Sequence, residues 1–229
     1  MWNGKMKAVT FSYDDGVEQD KRLVALFNRY GMKATFNLNG SRHISNGPGY
    51  PWTFNGNITV ARMPIEDLAG TYVGGHEIAM HAYTHADLDK LSDEVCKYEI
   101  LADRARLTDF FGKVPVGLAY PCGRYSDRVV NVLRENGVKY ARTVISSHSF
   151  DLQDDLLRFN PTCCDSDERL FELAEEFINT EATKPMLFYV WGHSYALDLE
   201  GRWERMERLC EYLSGRDDIY YCTNAEALL

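Results

Sequence analysis

Asp14 and Asp15 stand side by side in this sequence, His81 and His85 are four residues apart, and His193 stands alone further along. Adjacent carboxylates repel, and successive side chains point in different directions. That suits a division of labour, with one carboxylate on a cation and the other free to take a proton. The competing reading is a turn at Asp15-Gly16, with Asp14 capping the next helix. An i, i+4 pair on a helical turn brings two imidazoles to roughly 6 Å on one side. Neutral imidazole with carboxylate suits Zn²⁺ or a similar first-row metal. The alternative is two satisfied histidines at a helix start. His76 reads as a structural residue. Trp191 and Trp52 offer flat faces for stacking a sugar, or fill the core or rim.

These residues need elements to position them. Lys7–Tyr13, Lys33–Leu38, His76–Met80, Val116–Tyr120, Lys139–Ile145, Met186–Trp191 and Ile219–Cys222 read as strands. Helical spacing covers Gly16–Tyr30, Pro64 to about Tyr72, Ser92–Phe111, Ser126–Asn136, Asp167–Asn179 and Arg202–Leu213. Asn39 to Arg62 is a long Gly-, Asn- and Pro-rich stretch, and such stretches carry function or local substructure. Ser146–Asp165 reads as irregular. About seven apolar strands alternating with helices predict a parallel sheet covered by helices, open or closed into a barrel. Asp14-Asp15-Gly16 stands where a dinucleotide-binding fold has its glycines, which disfavours that fold. In a parallel barrel the C-terminal strand ends share one face. Asp14-Asp15, His81/His85, Pro121-Cys122-Gly123 and His193 all follow strands and would meet there.

The chain has 229 residues, 25 Lys and Arg against 34 Asp and Glu, and a net charge of −9. That argues against binding nucleic acid or an anionic membrane through bulk charge. No stretch is apolar enough to span a bilayer. No apolar leader follows Met1, and the six scattered cysteines include no CxxC, so reduced thiols and a cytoplasmic location are expected. We expect one catalytic domain over residues 1–229, with no nucleic-acid or membrane partner.

With those residues placed, the sequence resembles the polysaccharide deacetylase family, the NodB-homology group of carbohydrate esterases (family four). Thr10-Phe11-Ser12-Tyr13-Asp14-Asp15-Gly16 is similar to its first motif. His81-x-x-x-His85 is similar to its second, Leu118-Ala119-Tyr120-Pro121-Cys122-Gly123 to its third and Trp191-Gly192-His193 to its last. The resemblance implies an α/β fold, a distorted (β/α) barrel with seven strands. It implies that Asp15, His81 and His85 ligate a divalent metal, Zn²⁺ first, with Co²⁺, Ni²⁺ or Mn²⁺ as alternatives. Asp14 would be the general base, His193 the general acid, and the Cys122 backbone N–H an oxyanion donor. The Cys122 thiol would fill space. Tyr120, Pro121, Trp191 and Trp52 would contact substrate.

Two departures stand out. The third motif commonly carries an Arg, which orients the catalytic Asp, where this chain has Ala119. Arg124, Arg142 or Arg158 could replace it, and Arg142 is favoured because it ends a strand. The Asp that supports the family's catalytic His has no clear counterpart. Asp151, Asp154 and Asp155 lie in the right stretch, with nothing to choose among them.

The expected activity is hydrolysis of an acetyl group from an N-acetylated or O-acetylated sugar or oligosaccharide by metal-activated water, acting on carbon–nitrogen bonds other than peptides. Two alternatives are a non-sugar amide, as in the allantoinase-like branch, and a catalytically silent sugar-binding homologue.

Overall fold

A run in which every residue is buried marks a strand covered on both faces. Strand β1 (Lys7–Asp14) is such a run, buried at all eight positions. A computed structural model describes residues 2–54 and 58–229. After β1 come α1 (Asp20–Arg29), β2 (Ala34–Leu38), β3 (Gly49–Phe54), β4 (Ile58–Arg62), α2 (Ile65–Thr71), β5 (Glu77–Met80), α3 (Asp93–Phe111) and β6 (Gly117–Ala119). Then follow α4 (Asp127–Glu135), β7 (Tyr140–Arg142), β8 (Cys163–Cys164), α5 (Leu170–Asn179), β9 (Met186–Gly192), α6 (Ser194–Leu199), α7 (Trp203–Leu213), β10 (Ile219–Tyr221) and α8 (Asn224–Leu228).

The main sheet runs β7-β6-β5-β2-β1-β9-β8, with β10 beside the first half of β1. Every pairing in it is parallel. Parallel neighbours need long crossovers, which the helices supply. The sheet curls into a half-barrel, the distorted (β/α) barrel expected. Residues 159–164 span its two edges: Phe159 bridges Arg142, and the Thr162 N–H reaches the Tyr189 carbonyl at 2.8 Å.

Alternation along β1 sorts the side chains. Val9, Phe11 and Tyr13 join the large core beneath the helices, where Phe11 lies 4.7 Å from Phe27. Thr10, Ser12 and Asp14 take the other parity. There Thr10 bonds Asn224, Ser12 accepts from Asn37, and Asn37 donates to Asp14 at 2.8 Å. Asp14 is thus the last member of a polar row inside the barrel.

The cap signals act as expected. Ser92 accepts from the Val95 N–H and Ser126 from the Val129 N–H, while Gly112 ends α3 at φ 67°. Other boundaries shift. Residues 15–18 are held against β4 (Val17 bridges Arg62), so α1 starts at Asp20 rather than Gly16. The Asn39–Arg62 stretch contains the β3–β4 hairpin; its residues 55–57 lie outside the described residues. The segment read as irregular contains β8, and Lys139–Ile145 shortens to three strand residues. Helices α6 and α8 had no counterpart in the sequence reading. His76 precedes β5 rather than sitting within it. Its Nδ1 accepts from the Ala34 N–H at 3.2 Å, away from the site. No helix among the described residues is long and apolar enough to cross a membrane.

Candidate active site

The C-terminal ends of β1, β5, β6 and β9 open into one cavity of about 470 Å³. Asp14, Asp15, His81, His85, Tyr120, Cys122, Val144, Trp191, His193 and Tyr195 line it. Pro121 is buried, and neither it nor Trp52 lines the cavity. Trp52 reaches the site through Tyr195, with ring centroids 5.7 Å apart; Tyr195 in turn lies 5.1 Å from His193.

Asp15 sits one residue past β1, at φ 87°. That left-handed conformation is costly for a residue with a side chain. Two backbone bonds hold it there. Its N–H donates to the Asn37 carbonyl at 2.9 Å, and its carbonyl accepts from Arg62 Nη1 at 2.6 Å. Burial raises the Asp15 carboxyl, but Arg62 with His193, His81 and His85 holds it well below the usual carboxylate range.

His81 and His85 do not share a helical turn. The chain from 81 to 85 is a tight turn with Ala82 at φ 60° and His85 at φ 59°, and it sets the rings 4.8 Å apart. Side chains from elsewhere clamp this turn. Asn39 donates to the His81 and Ala82 carbonyls. Asp103 accepts from the His81 N–H at 3.0 Å, and Glu99 accepts from the Thr84 N–H and hydroxyl at 2.8 Å each. Asp103 and Glu99 are four apart on α3, so one helix face supplies both.

His81 Nδ1 lies 2.8 Å from the Ala119 carbonyl. A carbonyl only accepts, so Nδ1 carries the proton and Nε2 keeps its lone pair. Burial pushes this imidazole down to about 4, leaving it neutral at pH 7. Its Nε2 lies 3.9 Å from Asp15 Oδ1, and His85 Nε2 lies 3.5 Å from the same oxygen. Ligand atoms of Asp15, His81 and His85 all fall within 4.8 Å of one another. Asp15 Oδ1 is buried and has no hydrogen-bond partner. A buried carboxylate oxygen with no hydrogen bond, 2.8 Å from Arg62 Nη1 and facing two imidazole nitrogens, is part of a donor set that fits a first-row divalent cation.

Asp14 lies across from that trio. Arg142 Nη2 contacts both of its oxygens, at 2.6 and 2.5 Å, and both residues are buried. Burial raises the Asp14 carboxyl; Arg142, His81 and His193 outweigh this and lower it. The Arg142 guanidinium also lies 4.6 Å from the Trp191 ring. Arg124 instead faces Asp87, and Arg158 pairs with Asp127 and Asp155.

His193 Nε2 is 3.9 Å from both Asp14 Oδ2 and Asp15 Oδ2. The next residue, Ser194, donates to Asp20 at 2.5 Å and so fixes the turn into α6. Asp151, Asp154 and Asp155 are not at this site: Asp151 pairs with Lys184, and Asp155 caps a surface turn. A buried carboxylate, Asp165, stands just past β8, the strand beside the one that leads to His193. It accepts from Tyr13 at 2.9 Å and Arg202 at 2.8 Å, so close to Gly192 that an added Cβ there would fall 2.3 Å from its Oδ2. Asp165, Arg62, Val144 and Tyr195 were missed from sequence. Position two residues after His193 was an available signal for Tyr195; the others had none.

Cys122 adopts φ 54° in a turn closed by the Gly123 N–H on the Tyr120 carbonyl at 2.9 Å. Partial burial and nearby Asp87 push its thiol up, which keeps it protonated and a poor nucleophile.

The family described as Polysaccharide deacetylase matches residues 3–141. The chain belongs to that family. It is 28% identical over 147 residues to a chitin deacetylase from Pestalotiopsis sp., covering 64% of this chain and 44% of that protein. It is 25% identical over 120 residues to the uncharacterized protein YlxY of Bacillus subtilis (strain 168), covering 52% and 32%. The chain thus spans less than half the length of these curated relatives. Among solved structures, a putative polysaccharide deacetylase from Mycobacterium smegmatis superposes with a TM-score of 0.70 at 17% identity, over 97% of this chain and 89% of that one. A family 4 carbohydrate esterase from Streptomyces lividans gives 0.60 at 13% identity, over 95% and 92%. A CE4 family pseudoenzyme from Bacillus anthracis gives 0.59 at 16%, over 100% and 67%. At such identities these structures establish the fold alone.

Proposed function

We propose that the chain is a metal-dependent hydrolase that removes acetyl groups from an N-acetylated or O-acetylated sugar or oligosaccharide. The observation that carries this reading is one cavity holding two sets of groups. Asp15, His81 and His85 converge with a buried carboxylate oxygen that makes no hydrogen bond, and Asp14 and His193 stand within 4.0 Å of them. Asp15, His81 and His85 would hold the cation, Zn²⁺ before Co²⁺, Ni²⁺ or Mn²⁺. Bound there, it supplies a water of lowered pKa and polarises the acyl oxygen.

The chain's own residues do the rest. Asp14 stays ionised because Arg142 grips it, and it accepts the proton of the attacking water. The Cys122 N–H donates to the oxyanion as charge develops. His193 protonates the leaving amine or alcohol. Asp165, set behind Gly192 and pinned by Tyr13 and Arg202, supports His193 from the strand next door. Arg142 takes the part of the arginine absent at Ala119, reaching Asp14 across the barrel. That grip argues for an active site over a silent sugar-binding homologue. Tyr120, Trp191 and Tyr195 form the wall on which a sugar or a small amide would lie.

The test is elemental analysis of the purified protein together with acetate release on a panel of acetylated glycans and small amides. Asp15→Asn and His81→Ala should lose metal and activity together. His193→Ala should keep the metal and lose turnover. Normal turnover by His193→Ala, or a wild type that retains no metal, defeats the proposal. Release only from small amides moves the chain to the non-sugar branch.

A further inference from the structure

Arg62 is the last residue of β4 and has no part in the chemistry above. It is buried, with 6% of its surface exposed. Its Nη1 donates to the Asp15 carbonyl at 2.6 Å and lies 2.8 Å from Asp15 Oδ1. One Nη1 hydrogen is donated to the carbonyl, while the contact with Oδ1 is an ion pair that leaves that oxygen without a hydrogen bond. The same oxygen faces His85 Nε2 at 3.5 Å and His81 Nε2 at 3.9 Å. Trp52 covers the guanidinium, 4.8 Å from the ring centroid. The hairpin is fastened where it delivers this charge: Val17 bridges Arg62, the Glu18 N–H donates to the Ala61 carbonyl, and the Met63 N–H donates to the Gly16 carbonyl.

Two adjacent buried carboxylates therefore carry one arginine each, Arg142 on Asp14 and Arg62 on Asp15. The charge of the pair is balanced before any divalent cation enters. An added cation gains Asp15, but it does so beside a guanidinium that is fixed, desolvated and repulsive. Its approach also takes away part of the attraction that Asp15 already has.

We propose that Arg62 is the internal counter-cation of Asp15: it holds this carboxylate in place when no metal is bound, and it weakens the grip of the site on a divalent cation. Arg62 is a positioning residue that acts through Asp15. The inference rests on the reading of Asp15, His81 and His85 as a metal site. It assigns the β3–β4 hairpin a purpose, which is to tune metal affinity from outside the ligand set.

The experiment uses the 229-residue chain stripped with a chelator, with Zn²⁺ as the probe. Affinity is read by competition with a chromophoric chelator, and stability by thermal unfolding with and without Zn²⁺. Stripped Arg62→Met should melt about 5 °C or more below the stripped wild type. It should also bind Zn²⁺ about tenfold or more tighter, and Zn²⁺ should raise its melting temperature by more than it raises the wild type's. Arg62→Lys, which keeps the charge, should return both values toward wild type. If stripped Arg62→Met does not fold, Arg62→Gln, which is neutral and can still donate to the Asp15 carbonyl, should show the same tightening. Zn²⁺ binding by the wild type that the neutral variants leave equal or weaker overturns this inference alone. A wild type that binds no Zn²⁺ overturns the metal reading as well.

Discussion

Arg142→Met should expose how much of this fold is committed to one carboxylate. Arg142 and Asp14 are 0% and 2% exposed, and Arg142 Nη2 contacts both Asp14 oxygens. Removing the guanidinium leaves Asp14 with one side-chain donor, Asn37 Nδ2 at 2.8 Å, and with two imidazoles at 3.9–4.0 Å. Breaking a buried pair by deleting one partner costs about 3–5 kcal/mol, because the other charge stays buried. Coulomb's law gives about 4 kcal/mol for unit charges at 4 Å and an effective dielectric of 20, which agrees. Asp14→Asn should also cost stability, since it strands Arg142 over Trp191. The double variant buries no unpaired charge and should cost less than the two single losses together. The assay is urea unfolding of stripped protein at pH 7 for all four members of the cycle. We expect a coupling of about 3 kcal/mol or more. A coupling under about 1 kcal/mol, the size found for exposed pairs, would refute the reasoning. Turnover supplies an independent reading. Without Arg142, burial is the dominant influence on Asp14 and raises its pKa. The acid limb of kcat/KM should therefore move to higher pH, and the rate at neutral pH should fall by about 10²-fold or more. An acid limb that stays in place contradicts the assignment of Arg142 to Asp14.

Two further outcomes follow from buried groups beside the site. Burial raises the Asp20 carboxyl to about 7 even though Ser194 and Tyr72 donate to it. A raised carboxyl contributes stability that is complete below its unfolded pKa near 4 and is lost as pH rises through 7. Asp20→Asn should therefore gain on the wild type between pH 4 and pH 8, by about 2–4 kcal/mol in urea titrations; a difference that is the same at both pH values would be contrary. Gly192→Ala should place a Cβ 2.3 Å from Asp165 Oδ2 and force that carboxylate off Tyr13 or Arg202. A loss of about 1–3 kcal/mol in unfolding and a fall in acetate release are expected. Wild-type values for both would show that Asp165 can move freely.

Much of the scaffold was legible because local physics specifies it. The run of β1, buried throughout, and that of β9, buried but for half-buried Trp191, are covered strands, and Ser92, Ser126 and Gly112 mark helix ends through bonds a few residues long. The spacing of Asp14-Asp15, His81, His85 and His193 after successive strands brought them to one face, since parallel strands present their C-terminal ends together. The route from His81 to His85 was not legible. A helical turn satisfies the spacing, but Asn39, Glu99 and Asp103 hold a left-handed turn instead.

The strand-and-helix alternation and the identity of the groups at the strand ends are written locally along the chain. Which partners those groups meet is set by how the strands and loops pack. Arg142 reaches Asp14 across 128 residues because the sheet curls, bringing a strand near one edge of the sheet over the interior of the central one. Asp165 comes to lie against Gly192 because β8 lies beside β9, and Arg62 meets Asp15 because a hairpin folds back over the first strand's end. Each partner is a short-range electrostatic contact made at long range in the chain. No local pattern encodes it, and only the closing of the barrel brings the charges within reach.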